Sequence, residues 1–243
     1  VYKRQLQSQG DYLEAINHLN TLEKQGYEKS LVLSEKAAIY EELGNLKAAR
    51  SSLKSAVKSD ARNLEAMHHL ARLLIDDGDA GEAIEGLNRL IRQDPARFDA
   101  YLLRADALSQ VGDLEAAVSD LDLYLSYFPE NDSAFYQKGL IQFDHGRYLD
   151  AIQSFNKALS FNKGKADYYF ARGRTYSATG TTMYAEKDMS MALDLDPLNG
   201  EIWYEKGKLA EKLGTLEHAC HCYQKAYQYG IYEAGELLNQ RCK

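Results

Sequence analysis

The sequence predicts an all-α array of stacked helix pairs, and three observations carry that prediction. Gly10, Gly44, Gly78, Gly112, Gly146, Gly180 and Gly214 recur at one constant interval. Five residues after each glycine comes an alanine: Ala15, Ala49, Ala83, Ala117, Ala151, Ala185 and Ala219. The prolines keep the same clock, with Pro129 one period after Pro95 and Pro197 two periods after Pro129. A fixed period of this kind, uninterrupted by insertions, means stacked supersecondary units.

Each unit reads as two helices. In the fourth, Phe98 to Val111 forms one helical stretch, Gly112-Asp113 breaks it, Leu114 to Tyr127 forms the second, and Pro129 ends it. Glycine at the break allows a tight reversal without a Cβ clash. The alanine after it lets the two helices approach. Eleven residues before the glycine stand large side chains, Tyr101, Phe135, Tyr169 and Trp203. Seven before it stand small ones, Ala37, Ala71, Ala105, Gly139, Gly173 and Gly207. Large against small at fixed offsets is interdigitated helix packing.

This pattern resembles the tetratricopeptide repeat (TPR) family, whose unit is about 34 residues long. The sixth unit carries the motif most fully, in Tyr169, Gly173, Tyr176, Gly180, Ala185, Ala192 and Pro197. Lys163 and Ile231 depart from the closing proline, and Gln142 and Ala210 from the tyrosine of the first helix. The resemblance implies an all-α TPR solenoid, a right-handed superhelix whose first helices line a concave face. It covers nearly the whole chain. A partial repeat occupies 1–29, and full repeats occupy 30–63, 64–97, 98–131, 132–165, 166–199 and 200–231. A capping helix follows over 232–243, where Ala234, Leu237 and Leu238 fall at helical spacing.

Composition narrows the function. The 243 residues include 29 basic and 36 acidic ones, a net charge of −7, whereas nucleic-acid-binding domains are usually basic. No apolar run approaches the roughly 18 residues that a membrane span needs. The chain starts at Val1 without a methionine, and the register starts it inside a first helix. We expect an N-terminally truncated bacterial chain. Val1-Tyr2-Lys3-Arg4-Gln5 back-translates as GTG TAT AAG AGA CAG, which resembles the transposon end used to tag sequencing libraries. Adapter read-through is the expectation there, and a native basic helix start is the other reading.

No Gly-rich phosphate loop, paired CxxC or HExxH pattern appears, so neither catalysis nor a cofactor is expected. The densest reactive cluster is His218-Ala219-Cys220-His221-Cys222. His218 and Cys222 share a helix face, and Cys242 is a conceivable third metal ligand. The register turns Ala219 inward, so we read the cluster as one turn of an ordinary helix. Cys220 precedes the Gly230 turn by ten residues and Cys242 follows it by twelve, so an antiparallel capping helix brings them roughly opposite each other. Two readings stand. A Cys220–Cys242 disulfide implies an oxidising compartment, such as a bacterial periplasm or cell envelope, which we favour; two free thiols imply a reducing cytosol.

The candidate binding surface is the outer face of the first helices, at thirteen, ten, nine, six, three and two residues before each glycine. The positions eleven, eight, seven and four before it form the expected core face. The outer face carries twelve acids: Glu35, Glu41, Glu42, Glu65, Asp76, Asp99, Asp106, Asp144, Asp167, Glu201, Glu205 and Glu211. It carries four bases, Arg72, Arg174, Lys208 and Lys212, and so nearly all the net negative charge. Tyr136, Phe170 and Tyr204 recur on it one period apart, joined by Leu140 and Phe143. These aromatics either line a groove or pack laterally between first helices. Arg174 and Lys208 lie one turn beyond Phe170 and Tyr204, where they either fix an acidic group or backbone carbonyl of the ligand or neutralise neighbours such as Asp167 and Glu205, and neutralisation is the expected role.

The carboxylate clamp of some co-chaperone TPR domains is missing. One three-repeat window holds Ser34, Ala38, His69, Asp99 and Leu103 in its place, and another holds Tyr136, Leu140, Ala171, Glu201 and Glu205. The asparagine ladder of peptide-tracking TPRs is absent too, with Glu35, His69, Leu103, Gln137, Ala171 and Glu205 in that row. The resemblance therefore implies a non-catalytic scaffold for a protein or peptide ligand, here basic with apolar anchors. The alternative is a structural arm of a larger exported or membrane-associated assembly protein. Replacing Ala151 with leucine should overpack the helix pair and cost on the order of 1–3 kcal/mol, measured as a lowered melting curve by circular dichroism.

Overall fold

The computed structural model describes residues 12–242. Gly10, Lys243 and the question of Val1–Gln5 lie outside the described residues. The fold is all-α, with no strand among the described residues. The helices are α1 Tyr12–Lys24, α2 Lys29–Glu42, α3 Leu46–Ser59, α4 Leu64–Asp76, α5 Ala80–Gln93, α6 Phe98–Gln110 and α7 Leu114–Tyr127. They continue with α8 Asp132–Asp144, α9 Tyr148–Phe161, α10 Ala166–Ala178, α11 Thr182–Leu195, α12 Gly200–Lys212, α13 Leu216–Gln228 and α14 Tyr232–Arg241. The chain forms two compact units, one ending at Asp120 and the other beginning at Leu121.

The glycine clock is a backbone requirement. Gly44, Gly78, Gly112, Gly146, Gly180 and Gly214 all have φ between 70° and 84°. This left-handed conformation closes each first helix and is open to glycine at no steric cost. At Gly146 the closure is explicit: its N–H donates to Phe143 O at 2.9 Å, and Arg147 N–H to Gln142 O at 2.8 Å. The closing prolines matter through their carbonyls. Trp203 Nε1–H donates to Pro197 O at 2.9 Å and Tyr101 O–H to Pro95 O at 3.3 Å. An aromatic eleven before the glycine thus holds the loop that precedes its own helix.

Within each pair, a small residue on the first helix faces a large one on the second, sixteen positions later. A Cβ built on Gly207 would lie 2.6 Å from the Tyr223 ring, and one on Gly139 would lie 2.5 Å from Phe155. At Gly173 the Met189 side chain stands 3.3 Å from such a Cβ. In the first unit the same offset pairs Ala71 with Leu87 and Ala37 with Leu53, all buried in one cluster. Where the large partner is leucine the small one is alanine; where it is aromatic or methionine, glycine. The pair therefore conserves volume, as a close-packed core demands.

The expected core face of the first helices needs a correction. The positions twelve and five before the glycine are also buried: Val32, Ala66, Ala100, Ala134, Tyr168 and Ile202, then Ile39, Leu73, Ala107, Ile141, Thr175 and Leu209. The reason is packing on two sides. In the second unit α10 touches α11, its own partner, and also α9 of the preceding pair; α4 does the same with α5 and α3 in the first unit. The row eight before the glycine, expected in the core, is largely basic: Lys36, Arg104, Lys138, Arg172 and Lys206. Each of these cations reaches a polar group across a helix boundary. Arg172 donates to both carboxylate oxygens of the buried Asp188, at 2.7 and 2.8 Å, and to Asn156 Oδ1 at 2.6 Å. Arg104 repeats this with Asp120, at 2.7 Å twice, and with Asn88 Oδ1 at 2.6 Å. The hydrogen bonds to Asp120 hold the Arg104 guanidinium above its usual pKa. A buried ion pair satisfied this way costs a great deal to break from one side.

Two glycine substitutions separate these contacts. Gly207→Ala drives a methyl into the Tyr223 ring and should cost on the order of 1–3 kcal/mol. Gly86→Ala, in α5 with nothing within 4 Å of a new Cβ, should stabilise by roughly 0.5–1 kcal/mol. Urea denaturation of both variants checks the opposite signs.

Candidate functional site

Nine of the ten candidate residues belong to the second unit; Asp106, half-buried on α6, belongs to the first. Tyr136, Leu140 and Phe143 lie on α8, Asp167, Phe170 and Arg174 on α10, and Glu201, Tyr204 and Lys208 on α12. These three first helices touch in succession, α8 with α10 and α10 with α12. The repeat register therefore becomes a row of neighbours in space.

Each aromatic is half in the core and half out. Tyr136 stacks on the buried Tyr168 at 4.7 Å between ring centroids and tilts against Phe155 at 5.8 Å. Tyr204 tilts against the buried Tyr223 at 6.0 Å. Phe170 packs on the cluster around Met189 and Ile202. Leu140 and Phe143 pack on the one around Phe155 and Ala151. All five remain partly accessible. Lateral packing and an accessible surface thus coexist in the same rings.

The charges gather around them. Burial pushes the Tyr136 hydroxyl above its usual pKa; Asp167 and Glu201 push the same way, and Arg174 opposes them. One hydroxyl therefore senses three candidate residues from two neighbouring helices. Asp167 and Glu201 are exposed, and neither forms an ion pair among the described residues. The expected neutralisation of Asp167 by Arg174 does not occur. The Arg174 guanidinium lies instead over Phe143 at 5.3 Å and Phe170 at 5.7 Å, where the ring faces attract a cation. Lys208 does both jobs, donating to Glu205 at 2.8 Å and lying over Tyr204 at 5.3 Å.

In the first unit three acids of this face, Glu41, Glu65 and Asp99, are paired. Arg72 binds Glu41 at 2.5 Å. Arg97, from the loop before α6, binds Glu65 at 2.6 and 3.0 Å and Asp99 at 3.0 Å. Those hydrogen bonds from Arg97 hold the Glu65 carboxyl below its usual range. A count of residues on the helix face misses Arg97, because the residue is outside the helix. The open acidic groups among the candidates are accordingly those of α10 and α12. Two cavities lie elsewhere on the helices, the second of them bordered by one acid of this face, Glu65. One of about 630 Å³ is lined by Phe135, Lys138, Gln142 and Lys157, and one of about 710 Å³ by Ser30, Asn63, Glu65 and Arg97.

The cysteine cluster resolves into two different environments. Cys220 on α13 and Cys242 after α14 are joined in the structure, with Cα atoms 5.7 Å apart, inside the range a disulfide requires. Cys222 is fully buried, and burial pushes its thiol up to about 11. It stands eight residues after Gly214, the register position of Asp120 and Asp188. His218 Nε2 lies 3.7 Å from its sulfur. Among the described residues, no three His, Cys, Asp or Glu side chains are arranged to hold a metal ion. No described helix is long and apolar enough to cross a membrane.

Helix pairs repeating at a constant interval, with an accessible row across their first helices, define a repeat protein of the interaction class. Tetratricopeptide repeat profiles match residues 4–64 and 102–169, residues 40–107, and residues 200–229. The chain belongs to the tetratricopeptide repeat family, a family of protein-interaction scaffolds. It is 24% identical over 222 residues to the Hsp70-Hsp90 organizing protein of Triticum aestivum, covering 90% of this chain and 38% of that protein. It is 25% identical over 168 residues to human tetratricopeptide repeat protein 16, covering 64% of this chain and 19% of that one. The chain thus spans well under half the length of these relatives. A tetratricopeptide repeat protein from Parabacteroides merdae superposes with a TM-score of 0.80 at 20% identity, over 100% of this chain and 96% of that one.

Thiol chemistry offers a direct check. Intact-mass analysis without reductant should find Cys220 linked to Cys242. Cys222 should resist alkylation in the native protein at pH 8 and react once the chain is unfolded, because the buried thiol stays protonated up to about 11.

Proposed function

We propose that this chain is a non-catalytic interaction scaffold that holds a peptide segment of a partner protein across α8, α10 and α12. The segment presents basic side chains to Asp167 and Glu201 and apolar anchors to Tyr136, Phe170 and Tyr204. The observation that carries the proposal is the row of half-exposed rings flanked by unpaired carboxylates. Rigid aromatics give contact area at low entropic cost, and the acids attract and orient. Family membership supports the scaffold reading. So does the likeness, at a TM-score of 0.57 and 17% identity over 74% of this chain and 92% of that one, to YrrB, a TPR protein with an unusual peptide-binding site. The chain's likeness to the Hsp70-Hsp90 organizing protein does not bring a chaperone tail with it. Tyr136, Leu140, Ala171, Glu201 and Glu205 occupy the clamp positions, and two of these repel a carboxylate. The proposal includes the Cys220–Cys242 bond, and with it an oxidising compartment.

Binding of a basic peptide with aromatic anchors, followed by surface plasmon resonance, should weaken with salt mainly through a slower on-rate, since exposed charges are screened beyond roughly 8–10 Å. Tyr136→Ala combined with Tyr204→Ala should raise the off-rate by on the order of tenfold or more with the helical circular dichroism retained. Salt-independent association, or normal binding by the double variant, would move the site off this face.

A further inference from the structure

Two neighbouring first helices repeat one three-part arrangement. On α10 it reads Asp167, Phe170, Arg174; on α12 it reads Glu201, Tyr204, Lys208. The spacings of three and four residues put each set on one side of its helix. The charged rows at the two ends are seven residues apart, about 10.5 Å along the axis. At that distance acid and base on one helix do not pair, and the structure pairs neither Asp167 with Arg174 nor Glu201 with Lys208. Each cation instead lies over a ring of its own helix, Arg174 over Phe170 at 5.7 Å and Lys208, which also donates to Glu205 at 2.8 Å, over Tyr204 at 5.3 Å. Because α10 and α12 touch, the two sets line up as bands running across the helices: an anionic band, an aromatic band and a cationic band.

We infer that the occupant of this face is an amphipathic helix of a partner protein, lying across α10 and α12. It has an apolar seam, basic residues along one edge and acidic residues along the other. The inference rests on the reading of this face as a peptide site and replaces its uniformly basic ligand with a two-edged one. Charge complementarity selects the edges. A wholly basic segment meets Arg174 and Lys208, and a wholly acidic one meets Asp167 and Glu201. Dimensions and geometry select the helix. A helix with its side chains is about 10–12 Å across, which matches the separation of the charged bands, so both edges are engaged at once. A strand sends successive side chains to opposite faces and does not offer one apolar face with two charged edges. Rotating a two-edged helix end for end exchanges its edges, so the bands also dictate the direction in which the occupant lies.

The test uses the whole chain and three fluorescein-labelled synthetic peptides, each a helix of about five turns with the same leucine seam. One has lysines on one edge and glutamates on the other, one has lysines on both, and one has glutamates on both. Fluorescence anisotropy should rank the two-edged peptide first by roughly tenfold over either of the others. Arg174→Glu with Lys208→Glu should move the preference to the all-lysine peptide, and Asp167→Lys with Glu201→Lys to the all-glutamate one. Circular dichroism confirms that both double variants keep their helices. If the all-lysine peptide binds wild type as tightly as the two-edged one, and Tyr136→Ala with Tyr204→Ala abolishes that binding, the two-edged occupant is wrong and the peptide site stands. If binding ignores the tyrosine substitutions, or no peptide binds, both are wrong.

Discussion

Everything in this chain depends on how closely the two helices of a pair approach. The distance is set by one contact, a residue with little or no side chain facing a large one sixteen positions on. Tyr223 lies where a Cβ on Gly207 would stand, and Phe155 does the same at Gly139. Close approach fixes where the first helix sits. That position decides which side chains point at the neighbouring pair and which are left on the outer face. Tyr136 and Tyr204 are half-exposed because the rings beneath them, Phe155 and Tyr223, already fill the space inside the pair. A change in the volume of one inner ring is therefore felt on the candidate binding face.

The turns were legible in the sequence because a left-handed backbone leaves a chemical mark. No other residue substitutes for glycine there without cost, so the clock shows itself. α14 was legible for a similar reason, through Ala234, Leu237 and Leu238, which pack where the stack closes on α13. The second buried side of the first helices was not. Its row twelve before the glycine mixes Val32, Ala66, Tyr168 and Ile202, because what it meets differs at each junction. No single residue type repeats, and the amphipathic pattern is blurred by burial on two sides. The outer-face charge was legible as composition and not as electrostatics. Arg97 captures Glu65 and Asp99 from a loop, and only three-dimensional proximity reveals that.

The candidate site itself was readable as a row and not as a mixture of roles. Period alone brought Tyr136, Phe170 and Tyr204 together, since neighbouring first helices touch. Whether such rings serve packing or recognition is not a property of spacing. It depends on how much of each ring the layer beneath covers, and the structure leaves each ring partly uncovered. Arg174 illustrates the same point. Counted with its helix it neutralises an acid about two turns away, but its guanidinium rests on two aromatic faces.

The basic row inside the second unit also makes its junctions mechanically unequal. Arg172 ties α9 to α10 and α11 with a planar fork: one bond to Asn156 on the preceding pair and two to Asp188 on its own. Such a fork resists shear in two directions, because sliding either neighbour breaks a directional bond. One pair further on, Lys206 holds a single bond to Ser190 at 2.9 Å, and Cys222 occupies the place of the second anchor. An ammonium on a flexible stem follows its acceptor as the helices slide. The joint between the α10–α11 pair and α12 is therefore less firmly tied than the one before it, and the gap between Asp167 and Glu201 is the dimension that this difference bears on.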